Sequence, residues 1–156
     1  MSASLQYSDY SDDADFVVPY EFLDKPEQEA IYLESCKKAM DTYMSIVNSG
    51  CSNDSAGYSA PQGLKNILVM SATPYQWKHM IGQRTCKRNT VETRYVMLRI
   101  WEQLHSLSDI LFAPNTTGMF CVKDKCLEGG MSCGSVLEKG LTPTQILKKD
   151  FPLLMN

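Results

Sequence analysis

Residues 77–95, WKHMIGQRTCKRNTVETRY, collect Lys78, Arg84, Lys87, Arg88 and Arg94 against a single acid, Glu92, with His79 near the start. Such a stretch suits three chemistries: a solvated helix face, a nucleic-acid patch, or a grip on one small anion. A guanidinium offers paired donors that match a phosphate or carboxylate bidentately. If residues 74–84 are helical, Lys78, His79 and Arg84 fan around the helix, and Arg84 falls at its end, where a cation also complements the carbonyl dipole. Arg94, two residues after Glu92, has the ordinary reading of a solvated or structural ion-pair residue. Nucleic acid fits least, because few aromatics interleave the cations and the chain is acidic overall, with net charge −3 and pI near 5.3. A second set of reactive side chains is Cys121, Cys126 and Cys133, spaced x4 then x6, with Cys86 two residues after Arg84. Thiolates from a loop and a tail can converge on zinc, with Cys86 as fourth ligand and His79 as a substitute. The spacing is looser than the paired C-x2-C of common zinc modules, and buried free thiols are the alternative. No histidine is placed as a base for a catalytic cysteine.

The elements that must position these groups are mostly helical. Pro26 opens a helix in which Ile31, Cys36, Met40, Tyr43, Met44 and Val47 recur at helical spacing, and Gly50 stops it. Residues 51–63 are rich in turn formers and read as a loop. Residues 64–73, LKNILVMSAT, have the character of a buried strand or extended segment. FVVPY at 16–20 is extended, since the residue before a proline avoids the helical region. Pro74 opens a helix to about Arg84. After a break at CKRN, a second helix runs from about Thr90 to Ser106, with Val91, Tyr95, Leu98, Trp101 and Leu104 on one side. Near the end Thr142, Pro143 and Gln145 form a capping-box pattern. The expected class is α+β, helix-dominated, with little strand.

With 156 residues, a real core can be buried. No run approaches the roughly 18 apolar residues of a membrane span. The opening MSASLQYSDYSDDADF carries no basic and apolar signal region, so the expectation is a cytoplasmic protein with no membrane partner. Reducing conditions there disfavour disulfides, which is why the cysteines are read as thiols or ligands. The expected organisation is a flexible acidic lead-in (1–15), a core (16–134) and a C-terminal helical tail (135–156).

The series W-x-H-x4-R-T-C-x-R-N-x-x-E-x-R resembles the C-terminal signature of flavin-dependent thymidylate synthases. AMDTYMSIVNSG, SAPQGL, NILVMSAT and LSDILF follow in that family's order, so the resemblance covers about residues 16 to 134. It implies a homotetramer that methylates dUMP to dTMP, with carbon from methylenetetrahydrofolate and hydride from FAD reduced by NADPH. By the same resemblance Arg84 contacts dUMP, His79 lies beside the flavin, and Glu92 and Arg94 support the local helix. Gln62, in the APQGL loop, offers a neutral amide contact to the nucleotide. There are departures as well. The family's R-H-R-x-x-S motif has no counterpart in this sequence, Ala56 is followed by Gly57 where the family carries arginine, and Thr73 and Tyr75 stand where it often has asparagine and then arginine. Each lost charged hydrogen bond is worth about 1.5–3 kcal/mol. The expectation is a truncated synthase homologue, weak or inactive as an isolated chain; the alternative is a nucleotide-binding pseudoenzyme that sequesters a nucleotide or regulates a full-length synthase.

Overall fold

The computed structural model describes residues 14–119, 126, 129–134 and 140–155. Most of the expected lead-in, residues 1–13, and Cys121 lie outside the described residues. The chain divides into two compact units at Ser71 and Ala72.

In the first unit, α1 spans Pro26–Asn48. Pro26 supplies a helical φ where no N–H is needed, and Glu27 and Glu29 lie near the positive end of the dipole. The helix ends where the Ser49 hydroxyl donates to the Ile46 carbonyl at 2.7 Å and Gly50 turns the chain at φ 90°. Cys36, Met40 and Tyr43 are buried, but Ile31, expected on the same stripe, is 69% exposed. Its neighbour Tyr32 takes the inward place instead: it packs on Phe22 at 5.8 Å between ring centroids and donates to the Val17 carbonyl at 2.9 Å. On the exposed side, Lys38 hydrogen-bonds Glu34 and adds its charge, holding that carboxyl below its usual range. Protonation of Glu34 in acid removes whatever small stability this pair adds.

The expected 51–63 loop contains a short helix, α2 (Asn53–Gly57), because the Ser52 side chain accepts from the Ser55 N–H and caps it. This turn places Ala56, fully buried, against Met40 and Tyr43. Phe16 pairs antiparallel with Leu64, and Val17 N–H donates to Gly63 O at 2.8 Å. Gly63 is needed here, since a Cβ would fall 1.7 Å from the Tyr32 hydroxyl.

The expectation of a helix-dominated chain with little strand holds among the described residues. Its β structure, among the described residues, consists of isolated bridge positions, so the architecture is helix-dominated without a sheet. Of the two readings of residues 64–73, buried strand or extended segment, the exposures go against the first: Ile67, Leu68 and Val69 are 67%, 59% and 70% exposed. An apolar run is buried as a strand only when neighbouring strands extend beside it and build a face, and single bridges do not.

In the second unit, α4 (Val91–Leu107) packs on both α3 (Pro74–Arg84) and α5 (Pro143–Asp150). The α5 capping box forms in full, with Gln145 N–H donating to the Thr142 hydroxyl and Thr142 N–H donating to the Gln145 side chain. Ile81, Leu98, Trp101, Phe112, Ile146, Leu147 and Phe151 are buried, and Trp101 Nε1 donates to the Phe112 carbonyl at 3.0 Å. The buried stripe of α4 is Arg94, Met97, Leu98 and Trp101, rotated from the expected one; Val91 is 45% exposed. Among the described residues no helix is long and apolar enough to cross a membrane.

Gly118 adopts φ +118°, and a Cβ there would meet the Trp101 ring at 2.9 Å. Trp101 is buried and cannot yield. Gly118→Ala is therefore expected to cost about 3 kcal/mol, from left-handed backbone strain plus overpacking. Urea denaturation checks this; an unchanged midpoint would contradict it.

Candidate functional site

The basic stretch is carried by α3, the turn after it, and the start of α4. Thr73 caps α3: its hydroxyl accepts from Gln76 N–H, and Gln76 Oε1 accepts from Thr73 N–H at 2.9 Å. Pro74 occupies the first turn. Ile81 and Gly82 face the core, and Trp77, Lys78 and Met80 are half-buried at the margins. The opposite face carries Tyr75 and, one turn later, His79, both exposed. Arg84 lies five residues beyond His79, which at about 100° per residue turns it roughly 140° away. The two side chains thus leave α3 in different directions.

The C-terminal end of α3 is closed by side chains. Ile81 O accepts from both the Thr85 N–H (3.0 Å) and the Thr85 hydroxyl (2.6 Å). Asn89 Nδ2 donates to Gln83 O at 2.7 Å and to Cys86 O at 3.2 Å. Its Oδ1 accepts a long 3.4 Å contact from Arg84 Nη1. Asn89 thus ties the turn together and steadies Arg84 by the same amide. Asn89 was missed from sequence; the available signal was an asparagine just past a helix end, a residue suited to satisfying the last carbonyls.

The five cations have different environments. Lys78 reaches toward the Thr116 hydroxyl at 3.5 Å. Arg84, Lys87 and Arg88 are exposed on the turn, and no acid pairs with Arg84 among the described residues. Arg94 is 6% exposed. Its Nε donates to the Thr85 carbonyl at 2.9 Å, and its Nη2 donates to the Asp150 carboxylate on α5. Its guanidinium lies over the Phe151 ring, 5.4 Å from the centroid. Glu92 is half-buried in the first turn of α4, where a carboxylate favours the positive helix end. Gln62 is exposed in the turn after Pro61 in the first unit.

Of the four cysteines considered as zinc ligands, Cys121 lies outside the described residues. Cys86, Cys126 and Cys133 are free thiols, and no group of three or more metal-ligating side chains comes together among the described residues. Cys86 sits half-buried in the α3–α4 turn, whereas Cys133 is exposed. The donor set at this turn is cationic instead. Three exposed cations fit an anionic group, and the exposed Tyr75–His79 face suits a planar ring.

Residues 1–108 match the family model described as "Thymidylate synthase complementing protein". The chain belongs to this family. Among relatives, the flavin-dependent thymidylate synthase of Geobacter sulfurreducens is 22% identical over 122 residues, covering 78% of this chain and 52% of that protein. That of Thermococcus kodakarensis is 29% identical over 89 residues, covering 57% and 36%. That of Pyrococcus furiosus is 24% identical over 95 residues, covering 61% and 39%. The matched parts thus amount to 52%, 36% and 39% of these relatives' lengths. Helices α3 and α4 lie within the family-matched residues, whereas α5 lies beyond them.

Asn89→Ala would leave the Gln83 and Cys86 carbonyls without that donor. The expected destabilisation is about 1–2 kcal/mol, read as a lower melting temperature. Asn89→Asp, which keeps the acceptor for Arg84 but loses the donor to both carbonyls, should be similarly destabilised; full stability in both variants would refute the role.

Proposed function

We propose that this chain carries a nucleotide site of the flavin-dependent thymidylate synthase type, in which Arg84 contacts dUMP. The observation that carries it is the exposed Arg84 guanidinium on a closed helix end, with no acid paired to it among the described residues, inside the family-matched residues. Such a group is held in place yet keeps donors for a bidentate partner. Lys87 and Arg88 add positive potential at the same turn.

In this reading His79 lies beside FAD on the exposed α3 face, with Tyr75 one turn away, and Gln62 gives an amide contact to the nucleotide. Glu92 and Arg94 support the helices. The family reaction converts dUMP to dTMP with methylenetetrahydrofolate and NADPH. FAD, when bound, supplies the hydride; the contribution of these residues is to bind, orient and offset charge. The assembly is a homotetramer in the cytoplasm, its core formed by residues 16–134 with 135–156 as a tail.

A second reading is favoured by one observation. Gly57 follows Ala56 where the family has arginine, and Thr73 and Tyr75 stand where it often has asparagine and then arginine. With fewer cationic contacts the isolated chain is a weak synthase or an inactive one. It then acts as a nucleotide-binding pseudoenzyme that sequesters its ligand or regulates a full-length synthase.

Thermal melts with dUMP, together with the visible spectrum of the purified protein, separate these readings. Both expect dUMP to raise the melting temperature, by about 2.7 kcal/mol of added stability at a hundredfold excess over Kd. A flavin spectrum and dTMP formation favour the synthase; a colourless, nucleotide-stabilised protein favours the pseudoenzyme. Arg84→Ala is expected to weaken dUMP binding by roughly 10- to 150-fold, the equivalent of one charged hydrogen bond. An unchanged shift in that variant would remove Arg84 from the site.

A further inference from the structure

We propose that the buried Arg94–Asp150 pair is a positioning device for Arg84, through which the C-terminal helix α5 sets the geometry of the anion-binding turn. The inference rests on the nucleotide reading of Arg84 given above, and it assigns a role to a helix beyond the family-matched residues.

The connection is short and continuous. Arg84 is followed by Thr85, which is fully buried and ends α3. The Thr85 hydroxyl and N–H both close on Ile81 O, so its backbone is already committed to the last helical turn. The Thr85 carbonyl, pointing onward, accepts from Arg94 Nε at 2.9 Å. This bond joins the end of α3 to the first turns of α4, across nine residues of chain. Arg94 would not stay buried by that bond alone, because a neutral carbonyl does not balance a full charge. The balancing carboxylate is Asp150, the last residue of α5. Phe151, the next residue, is buried, lies under the guanidinium, and packs against Tyr95 at 5.2 Å between ring centroids. The capped and buried α5 thus brings an acid and an aromatic face to one side of Arg94, and the Thr85 carbonyl to the other.

Without the carboxylate, the guanidinium gains by leaving toward water, and the Thr85 carbonyl loses its donor. The peptide that moves is next to Arg84. Asn89, the other constraint on the turn, holds Gln83 O and Cys86 O but not Thr85 O. Asn89 also meets the Arg84 guanidinium itself at 3.4 Å, so the contribution from α5 is to fix, through Arg94, the backbone from which Arg84 projects. Arg94 and Asp150 touch no ligand in this scheme; they are positioning residues.

The test uses the full chain with Asp150→Asn, which keeps shape and removes charge, and Asp150→Glu, which keeps charge. Met119→Ala, a core truncation elsewhere in sequence, serves as a control for general destabilisation. Two readouts are taken at a temperature where every variant remains folded by circular dichroism. Amide hydrogen exchange at Thr85 and its neighbours should speed up by about tenfold or more in Asp150→Asn, with partial recovery in Asp150→Glu and no matching change in Met119→Ala. The dUMP dissociation constant should rise about tenfold in Asp150→Asn, but not further when Arg84→Ala is already present, the non-additivity expected of coupled groups. Wild-type exchange at Thr85 in Asp150→Asn overturns the proposal, as does an additive effect on binding. If the unmodified protein does not bind dUMP, the nucleotide reading fails, and the exchange measurement alone still decides whether α5 holds the end of α3.

Discussion

A buried guanidinium is stable only with a charge partner and satisfied donors, and much of the second unit follows from meeting that condition at Arg94. Its carboxylate comes from α5, its second acceptor from the end of α3, and its flat face is covered by Phe151. One side chain on α4 therefore ties α3, α4 and α5 together. Burial of an ion pair need not add net stability over an apolar core. What it does impose is register: few placements of α3 and α5 on α4 bring these groups together, and none of them can shift by a turn without leaving Arg94 unpaired.

The same condition explains why neighbouring arginines in one basic stretch have opposite fates. Arg94 faces Asp150 and is consumed by the fold. Arg84 ends its helix beside Asn89, whose amide carries no charge, and its donors stay available. The candidate anion site is thus formed as much by where acids are absent among the described residues as by where cations gather. The roughly 140° between His79 and Arg84 on α3 means that a ligand touching both must wrap the helix end, or that two ligand groups approach it from separate sides.

Legibility in the sequence varied with how local the signal was. Thr142, Pro143 and Gln145 announce their capping box within four residues, and the box forms. The same logic applied to Thr73, Pro74 and Gln76 gives the start of α3, and Gly50 marks the end of α1. Signals that depend on a distant neighbour misled. NILVM has the composition of a buried strand, yet it lies exposed because isolated bridges build no sheet face. Val91 and Ile31 fit apolar stripes but face out, displaced by Arg94 and Tyr32, whose polar atoms find partners that periodicity does not reveal. The cysteine spacing suggested a ligand set, but spacing along a chain does not imply convergence in space, and among the described residues no group of three metal-ligating side chains forms.

The sequence by itself determined the longer helices, the α5 capping box, the family and the presence of an unbalanced cationic stretch, because these depend on residues a few positions apart or on an ordered series of motifs. Only the tertiary structure decided which arginine is structural and which is available. That choice turns on Asp150, which lies 56 residues from Arg94, and on whether α5 packs where its carboxylate can reach. Charge pairing is set by distances in space, and no count of charges along the chain contains them.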